Sequence, residues 1–465
     1  MDATAGAGKE LNDGRGRGGA PGVPGAPRSM AKPDRPILIL VFLLALVIPL
    51  NFAIGGMRLS PYRVILLAMF IPLFVQWVSG KMGRIILPDV LMLIYATWIP
   101  LSLVANHGFS QIPFGGITMI EAFGAYLLGR MLVRGPESFE YFVRCLLMVL
   151  LALLPFVALE ALTGNRLIAK VVRGAGAHFG IAHQEMRWGM HRAQGPFEHP
   201  ILFGVFASSG FALAYYVLGA RGQAKAGQFW TGVAGAVTFF SLSMGAFLSG
   251  MIQVGLMGYE YITRNWKNRW QNFLYATTFV YLFFYFFSHR GLVGIFIANA
   301  AFNSFAASVR LITWEYGTRV VMANPLFGIG FNPDWPRPSW LTPSVDNFWL
   351  LNAMRYGLPA ALALGAAIIL VVVRIARTPV SDPFVSACRL GFIFSLAGVC
   401  FALASVHAWN AMYSHLFFLL GAGVWMIGEP AEDPAARRRG PAPRGRGAPS
   451  ASLARPDPAQ AEAVP

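Results

Sequence analysis

Long apolar runs alternate with short polar segments over most of this chain. A helix needs about 20 mostly apolar residues to cross the roughly 30 Å hydrocarbon core of a bilayer, and most of the runs approach or exceed that length. The runs lie near residues 36–55, 63–79, 85–104, 117–134, 141–160, 200–219, 229–262, 271–288, 347–373, 384–405 and 410–428. The pattern predicts an all-α fold, a polytopic membrane helix bundle.

The run at residues 229–262 is too long for a single span. One helix there would be about 50 Å long at about 1.5 Å per residue, so we divide it at Ser241-Leu-Ser243. The division brings the prediction to about twelve transmembrane helices. It also places Arg264 and Lys267 on the cytoplasmic side, where the positive-inside rule puts the basic residues of short loops.

The composition supports a membrane protein. Apolar residues make up 56% and charged residues 12% of the 465, with a mean hydropathy of +0.54, whereas about a quarter of a soluble domain is charged. The net charge of +16 would fit nucleic-acid binding if it followed one polar face. The basic residues instead form short clusters between apolar runs, so we expect a lipid bilayer as partner and no nucleic acid.

The two ends of the chain differ from the rest. Residues 1–35 are rich in Gly, Pro and Arg, and residues 429–465 are rich in Ala, Pro and Arg. Neither composition can bury a core, so we expect two disordered cytoplasmic tails around a transmembrane domain at 36–428, and Met30 stays open as an alternative start. All three cysteines lie in or beside apolar runs, and we predict no metal site and no cofactor.

Two long segments face outward in this topology, about 161–199 and 289–346, and both are too long to be simple connectors. We expect short helices in them. Their charged residues are Arg166, Lys170, Arg173, Arg187, Arg192, Glu185 and Glu198 in the first loop, and Arg290, Arg310, Arg319, Arg337, Glu315, Asp334 and Asp346 in the second. Such basic loops suit an anionic headgroup, and attraction to surface lipid phosphates is the alternative.

A helix is predicted over residues 308–323, where an Asn-Pro pair ends it. Arg310 and Arg319 are nine residues apart, so at about 100° per residue they lie on opposite faces. Glu315 precedes Arg319 by four residues, the favourable orientation for a helical ion pair. Arg310 has no such neighbour, which makes it the stronger candidate for ligand binding.

Several motifs resemble the bacterial O-antigen ligase and O-antigen polymerase family. Arg192–Pro200 (RAQGPFEHP) resembles the first outer-loop signature of that family, and Ser243–Phe247 (SMGAF) resembles the small-residue segment that opens a central helix. The second outer loop and the helix after it are similar to Arg310–Trp314 (RLITW), Asn324–Gly330 (NPLFGIG) and Asp346–Gly357. Ten residues separate Arg319 from Gly330, a spacing described for the polymerases.

The resemblance implies an inner-membrane glycosyltransferase with both termini in the cytoplasm. Members of the family transfer a sugar chain from undecaprenyl diphosphate to an acceptor hydroxyl on the periplasmic side, without a nucleotide sugar or a required metal. Their ligand arginines correspond to Arg192 and Arg310, which would bind the diphosphate. One position departs from the pattern, because Asp346 stands where many members have His.

A carboxylate can act as the general base in place of an imidazole, so Asp346 is the first candidate base. An N-cap for the following helix is the structural alternative, a role that Asp fills commonly. Glu198 and His199 are rival bases; Glu198 is alternatively a partner of Arg192, and His199 is alternatively the cap of the span that follows it.

Further residues are predicted to bind substrate. Arg187, Arg319 and Asn347 offer polar groups in or beside the two loops, and Trp314 offers an indole face on which a sugar can stack. Interfacial tryptophans are common in membrane proteins without such a role. Two acidic residues near span ends, Glu121 and Glu160, are attributed to snorkelling or solvent contact.

The leading functional prediction is a polymerase that joins lipid-linked repeat units into an exopolysaccharide, capsule or O-antigen. The predicted partners are the undecaprenyl-diphosphate-linked donor, the glycan acceptor, a chain-length regulator and the export machinery. A ligase that moves a finished glycan to lipid A or protein is the first alternative. A transporter or flippase is the second, although it would call for inverted repeats and midplane charges, and no internal repeat is visible.

Overall fold

The computed structural model describes residues 36–54, 57–174, 180, 185–287 and 304–428. The predicted tails, Arg290 and part of each predicted loop lie outside these residues. The described residues form fifteen helices, numbered α1 to α15 in chain order: Ile37–Val47, Pro61–Val78, Leu87–His107, Phe109–Leu132, Pro136–Thr163, Leu167–Gly174, Pro200–Leu218, Ala224–Phe240, Met244–Thr263, Arg269–Phe287, Ser304–Ala323, Phe348–Tyr356, Leu358–Arg377, Pro383–Ala402 and Asn410–Ile427.

Eight of these helices are long and apolar enough to cross a membrane, namely α2 to α5, α7 and α13 to α15. This agrees with the predicted polytopic helical membrane protein, whereas the number of about twelve spans stays a prediction. The division of the long run is also found, because α8 ends at Phe240 and α9 begins at Met244. The first apolar run contains only the shorter helix α1, of 11 residues.

The regular secondary structure of the described residues is helical, in agreement with the all-α prediction, apart from a short antiparallel pair of strands, Phe52–Ile54 with Met57–Leu59, that follows α1. One expectation about elements is wrong. The predicted span at 347–373 is two helices, α12 and α13, because Gly357 between them has φ of +85°. That conformation favours glycine and ends one helix before the next begins.

Small residues let the central helices approach closely. α3 packs against α13, α4 against α15 and α9 against α14. A Cβ added to Gly129 of α4 or to Gly421 of α15 would collide with the backbone of the other helix. Close approach of backbones at small residues is the usual means of packing helices in a membrane.

The described parts of both predicted outer loops meet the same end of the bundle. The N–H of Ala193 donates to the carbonyl of Phe240 at 3.0 Å, in the turn between α8 and α9. At the other loop, the N–H of Phe348 donates to the carbonyl of Leu403 at 2.9 Å, after α14. The fold therefore brings the residues before α7 and those before α12 to one end of the molecule, here called the loop end.

Candidate functional site

The segment before α7 is held in place by a buried carboxylate. Glu160, near the end of α5, accepts the backbone N–H groups of Gln194 and Gly195 at 3.1 Å each. It also forms an ion pair with Arg166 at 3.5 Å. The attribution of Glu160 to solvent contact is therefore wrong: the side chain is buried because it supplies acceptors for two loop amides that would otherwise lack them.

This anchored segment positions Arg187 and Arg192. The backbone of Arg187 pairs with Met190 across a tight turn, and its Nη1 donates to the carbonyl of Leu242 at 2.6 Å. Arg192 is buried, with 6% of its surface exposed. Burial, and then the charge of Arg187, lowers the pKa of Arg192 to about 10, so the two guanidinium groups lie within electrostatic reach of each other.

Arg310 joins these two arginines from the second loop. Its pKa is lowered by burial, while the charge of Asp346 acts in the opposite direction. In turn the pKa of Arg187 is lowered by burial and then by Arg310. Arg187, Arg192 and Arg310, here called the arginine cluster, therefore form a chain of interacting like charges drawn from both loops.

Arg319 lies elsewhere on the same helix. It forms the predicted ion pair with Glu315 at 2.5 Å, and both side chains are more than half exposed. Because α11 is one regular helix, Arg310 and Arg319 lie on opposite faces of it, as predicted. The substrate-binding role of Arg319 stays a prediction, as does that of Trp314, whose side chain is 38% exposed on α11.

Asp346 does not cap the helix that follows it. The N-cap is Asn347, whose side-chain oxygen accepts the N–H of Leu350 at 3.0 Å. Asp346 is exposed and accepts a hydrogen bond from the Ser344 hydroxyl at 3.3 Å. The capping alternative is therefore wrong for Asp346, whose charge instead acts on Arg310. The helix is capped by Asn347, and the substrate-binding role of Asn347 stays a prediction.

The two rival bases have other partners. His199 caps α7, because its Nδ1 accepts the N–H of Ile201 at 3.2 Å; burial, and then the charge of Arg192, lowers its pKa to about 4. The carboxylate of Glu198 accepts from the Trp409 indole at 2.9 Å and from the Asn410 amide at 2.5 Å. The capping alternative is thus found for His199, whereas the proposed pairing of Glu198 with Arg192 is replaced by these two hydrogen bonds.

A polar chamber adjoins these residues at the loop end. The cavity has a volume of about 130 Å³ and lies between α2, α4, α12 and the segment that leads into α15. Its polar and aromatic lining includes Arg63, Glu121, Asn352, Arg355, His407 and Trp409. Apart from Glu121, an acidic residue near a span end, these side chains do not stand out in the sequence pattern.

The chamber contains a buried ion pair. Arg63, in the first turn of α2, pairs with Glu121 at 2.7 Å and donates to Asn410 at 3.0 Å. The hydroxyl of Tyr62 also donates to Glu121, at 2.9 Å. Snorkelling of Glu121 is therefore wrong, because the side chain is buried among partners. It lies on a π-helical turn, Ile120–Gly124, a distortion that is frequent at functional sites.

The arrangement as a whole offers three things to a ligand at one end of a membrane bundle. These are a cluster of cationic donors, an exposed carboxylate beside it, and an adjoining chamber of polar and aromatic groups. Comparison with known proteins finds no family model that matches the chain and no characterised protein sequence that matches it.

Proposed function

We propose that this protein is a membrane glycosyltransferase that polymerises undecaprenyl-diphosphate-linked repeat units on the periplasmic face of the bacterial inner membrane. The product is an exopolysaccharide, capsule or O-antigen. The observation that carries the proposal is the arginine cluster, in which Arg187, Arg192 and Arg310 come from two different loops and act on one another.

Like charges that are partly removed from water repel one another, and an anion between them relieves the repulsion. A diphosphate suits three guanidinium groups because each group can donate two parallel hydrogen bonds to phosphate oxygens. The same groups stabilise the negative charge that develops on a diphosphate as it leaves. The cluster therefore supports both binding of a lipid diphosphate donor and its activation.

The chemistry needs one further group, a base for the acceptor. In the proposed step the acceptor oxygen attacks the anomeric carbon of the donor sugar, and the bond from that carbon to the phosphate oxygen breaks. The lipid diphosphate leaves with the electron pair, and the hydroxyl proton passes to Asp346. The exposure of Asp346 supports this role, because an incoming acceptor chain can reach its carboxylate.

A ligase that transfers the finished glycan to lipid A or to a protein would use the same donor groups. Asp346, in the position where the resembling ligases more consistently have His, favours the polymerase. A chain-length regulator and export machinery are the partners that a polymerase of this kind would need.

The test is glycan chain length in a deletion strain that carries the wild type, Arg310→Ala or Asp346→Asn at matched membrane levels. We expect long polymer to disappear and single lipid-linked repeats to accumulate in both variants. The control is Arg144→Ala, which removes an exposed arginine paired with Glu140 on α5; this strain should make normal polymer.

Two other outcomes would change the conclusion. Full-length glycan that builds up on the lipid carrier and is never transferred would make the protein a ligase. Unchanged glycan in both variants, with both proteins present in the membrane, would remove Arg310 and Asp346 from the site.

A further inference from the structure

The polar chamber is lined by the groups that proteins use to hold a single sugar. Trp409, Phe114 and Tyr413 supply aromatic surface, and Thr118 and Asn352 supply polar side-chain atoms. A volume of about 130 Å³ holds several water molecules. That is the scale of one sugar ring rather than of an oligosaccharide or a polyprenyl chain.

The charged side chains of the lining indicate whether the chamber would bind a neutral or an acidic sugar. Arg63 is neutralised by its ion pair with Glu121 at 2.7 Å. Arg355, in the last turn of α12, stacks over the Phe331 ring at 5.1 Å and forms no ion pair with any described residue. Among the described residues, Arg355 is therefore the cationic side chain of the lining that has no paired carboxylate, and a carboxylate on a ligand can supply that partner.

Glu198 is a second carboxylate beside the chamber, and it forms no ion pair with Arg355. Glu198 accepts hydrogen bonds from Trp409 and Asn410, and it lines a smaller adjoining cavity of about 40 Å³. Glu198 also precedes His199, whose imidazole is within reach of the charge of Arg192. The charge of Glu198 acts on Arg63 and Glu121, which both line the chamber. Glu198 therefore adds to the surroundings of that ion pair, and Arg355 stays without an ion-pair partner among the described residues.

A second feature of the chamber points to a ligand hydroxyl. Nδ1 of His407 is buried and has no hydrogen-bond partner among the residues that the structure describes, and the ring lines the cavity. A buried polar atom without a partner costs free energy that a bound ligand can recover. A sugar hydroxyl can do so in either imidazole tautomer, since it both donates and accepts.

Trp409 connects the chamber to the arginine cluster. Its ring centroid lies 5.6 Å from that of His407, inside the chamber, and 6.1 Å from that of His199, which borders Arg192. A sugar in the chamber would therefore lie beside a diphosphate held by the cluster.

We propose that the chamber is a subsite for a sugar that carries one carboxylate, a uronic acid of the repeat unit, and that Arg355 determines this specificity. The inference rests on the proposed function and deepens it, because it names the class of glycan that the site would polymerise. Arg355 would pair with the carboxylate, Trp409 would stack on the ring, and His407 would bind a hydroxyl.

The binding of monosaccharides to the purified full-length protein in detergent tests the proposed subsite without any enzymatic turnover. The probes are methyl glucuronide and methyl galacturonide, each titrated against the neutral methyl glucoside or methyl galactoside by saturation-transfer NMR. We expect at least one uronide to bind about tenfold or more tightly than its neutral counterpart, since a charge-assisted pair is worth that much. Equal binding of both uronides and their neutral counterparts would overturn the proposal.

Variants of Arg355 then test whether this residue causes the preference for a uronide over its neutral counterpart. Arg355→Gln should reduce it to within about threefold, and Arg355→Lys, which keeps the charge, should retain most of it. Arg144→Gln is the control for a lost arginine elsewhere. If the preference persists in Arg355→Gln, or if inorganic phosphate displaces the uronide at lower concentration than the uronide itself binds, the chamber is not a carboxylate site.

Arg310→Gln separates this inference from the proposed function. A uronide preference that survives in Arg310→Gln places the carboxylate in the chamber, whether or not that variant makes polymer in cells. A preference that is lost in Arg310→Gln but kept in Arg355→Gln would place the carboxylate in the arginine cluster and overturn the subsite.

Discussion

Arg187 and Arg310 come from different loops, yet the charge of Arg310, after burial, lowers the pKa of Arg187. Arg187 is fixed by a hydrogen bond to Leu242 in the turn between α8 and α9, whereas Arg310 is fixed by the position of α11 in the chain. The two groups are brought together by tertiary structure alone, at a cost in electrostatic repulsion. Such a cost is expected where a protein binds an anion.

This cluster should bind pyrophosphate in the purified protein. A ligand that binds only the folded state stabilises that state by about 2.7 kcal/mol when its concentration is 100 times its Kd. The midpoint temperature of unfolding should therefore rise with added pyrophosphate. Arg310→Gln should weaken the apparent affinity at least about tenfold, because a charged hydrogen-bonding partner is lost. The measurement is the unfolding midpoint as a function of pyrophosphate concentration at fixed ionic strength.

Arg144→Gln is the matched control for pyrophosphate binding, because Arg144 is an exposed arginine on α5 whose partner is Glu140. The pyrophosphate response of this variant should equal that of the wild type. A response that is the same in Arg310→Gln would show that pyrophosphate acts elsewhere on this basic protein.

The ion pair of Arg63 and Glu121 should be costly to break from one side. Glu121→Ala leaves a buried guanidinium without its carboxylate, and removing one partner of a buried pair costs about 3–5 kcal/mol. The double variant Arg63→Leu with Glu121→Leu should be more stable than Glu121→Ala, because no isolated charge remains. The free energy of unfolding in detergent is the quantity to compare. Glu137→Ala, an exposed change in the first turn of α5, should cost less than about 1 kcal/mol.

Much of the fold is readable from the sequence because hydrophobic length is a local property. Most of the apolar runs contain one helix each, and the break at Ser241-Leu-Ser243 lies between two helices. The exception is the run at 347–373, where hydropathy is continuous but the backbone is not. Gly357 interrupts the helix there because its φ is positive, and a hydropathy average contains no information on backbone conformation.

The site was predictable only in part. Arg192, Arg310 and Asp346 stand out because they are charges in long loops. Arg355 and His407 do not, because Arg355 lies within an apolar run and His407 lies between two of them. Only the packing of α12 against the segment before α15 makes them face one cavity. The prediction that Glu121 snorkels is wrong for the same reason. Its partner Arg63 lies on a different helix, and no spacing rule links the two.

Gly357 should be intolerant of substitution. Its φ is +85°, and an added Cβ would meet the backbone of Leu326 and Pro325 at the turn that follows α11. Strain of that conformation alone costs about 1–3 kcal/mol for other residues, so Gly357→Ala should lower the unfolding midpoint and the yield of folded protein. Gly365→Ala is the control, because Gly365 lies within α13 with open space around it and alanine is the better helix former. Equal behaviour of the two variants would contradict the close packing of the turn against α12.

His199 should make the stability of the protein depend on pH between its two pKa values. The ordinary pKa of 6.5 applies when the chain is unfolded, and burial beside Arg192 lowers the pKa to about 4 in the folded protein. Between these values the unfolded state binds more protons, so stability is lost as the pH falls from 6.5 to 4. Protonation would also remove the acceptor that caps α7 at Ile201. We expect a loss on the order of 1–2 kcal/mol, allowing for the partial exposure of the ring.

His199→Asn isolates this contribution, because asparagine is a good N-cap and does not titrate. The variant should match the wild type above pH 6.5 and fall less steeply below it. His407 also has a lowered pKa, about 3, from burial and then the charge of Arg355, and it remains in both proteins. The difference between the two unfolding curves therefore reports His199 alone. Parallel curves from pH 6.5 to 4 would mean that the His199 imidazole is as easily protonated in the folded protein as in water, which would contradict its burial beside Arg192.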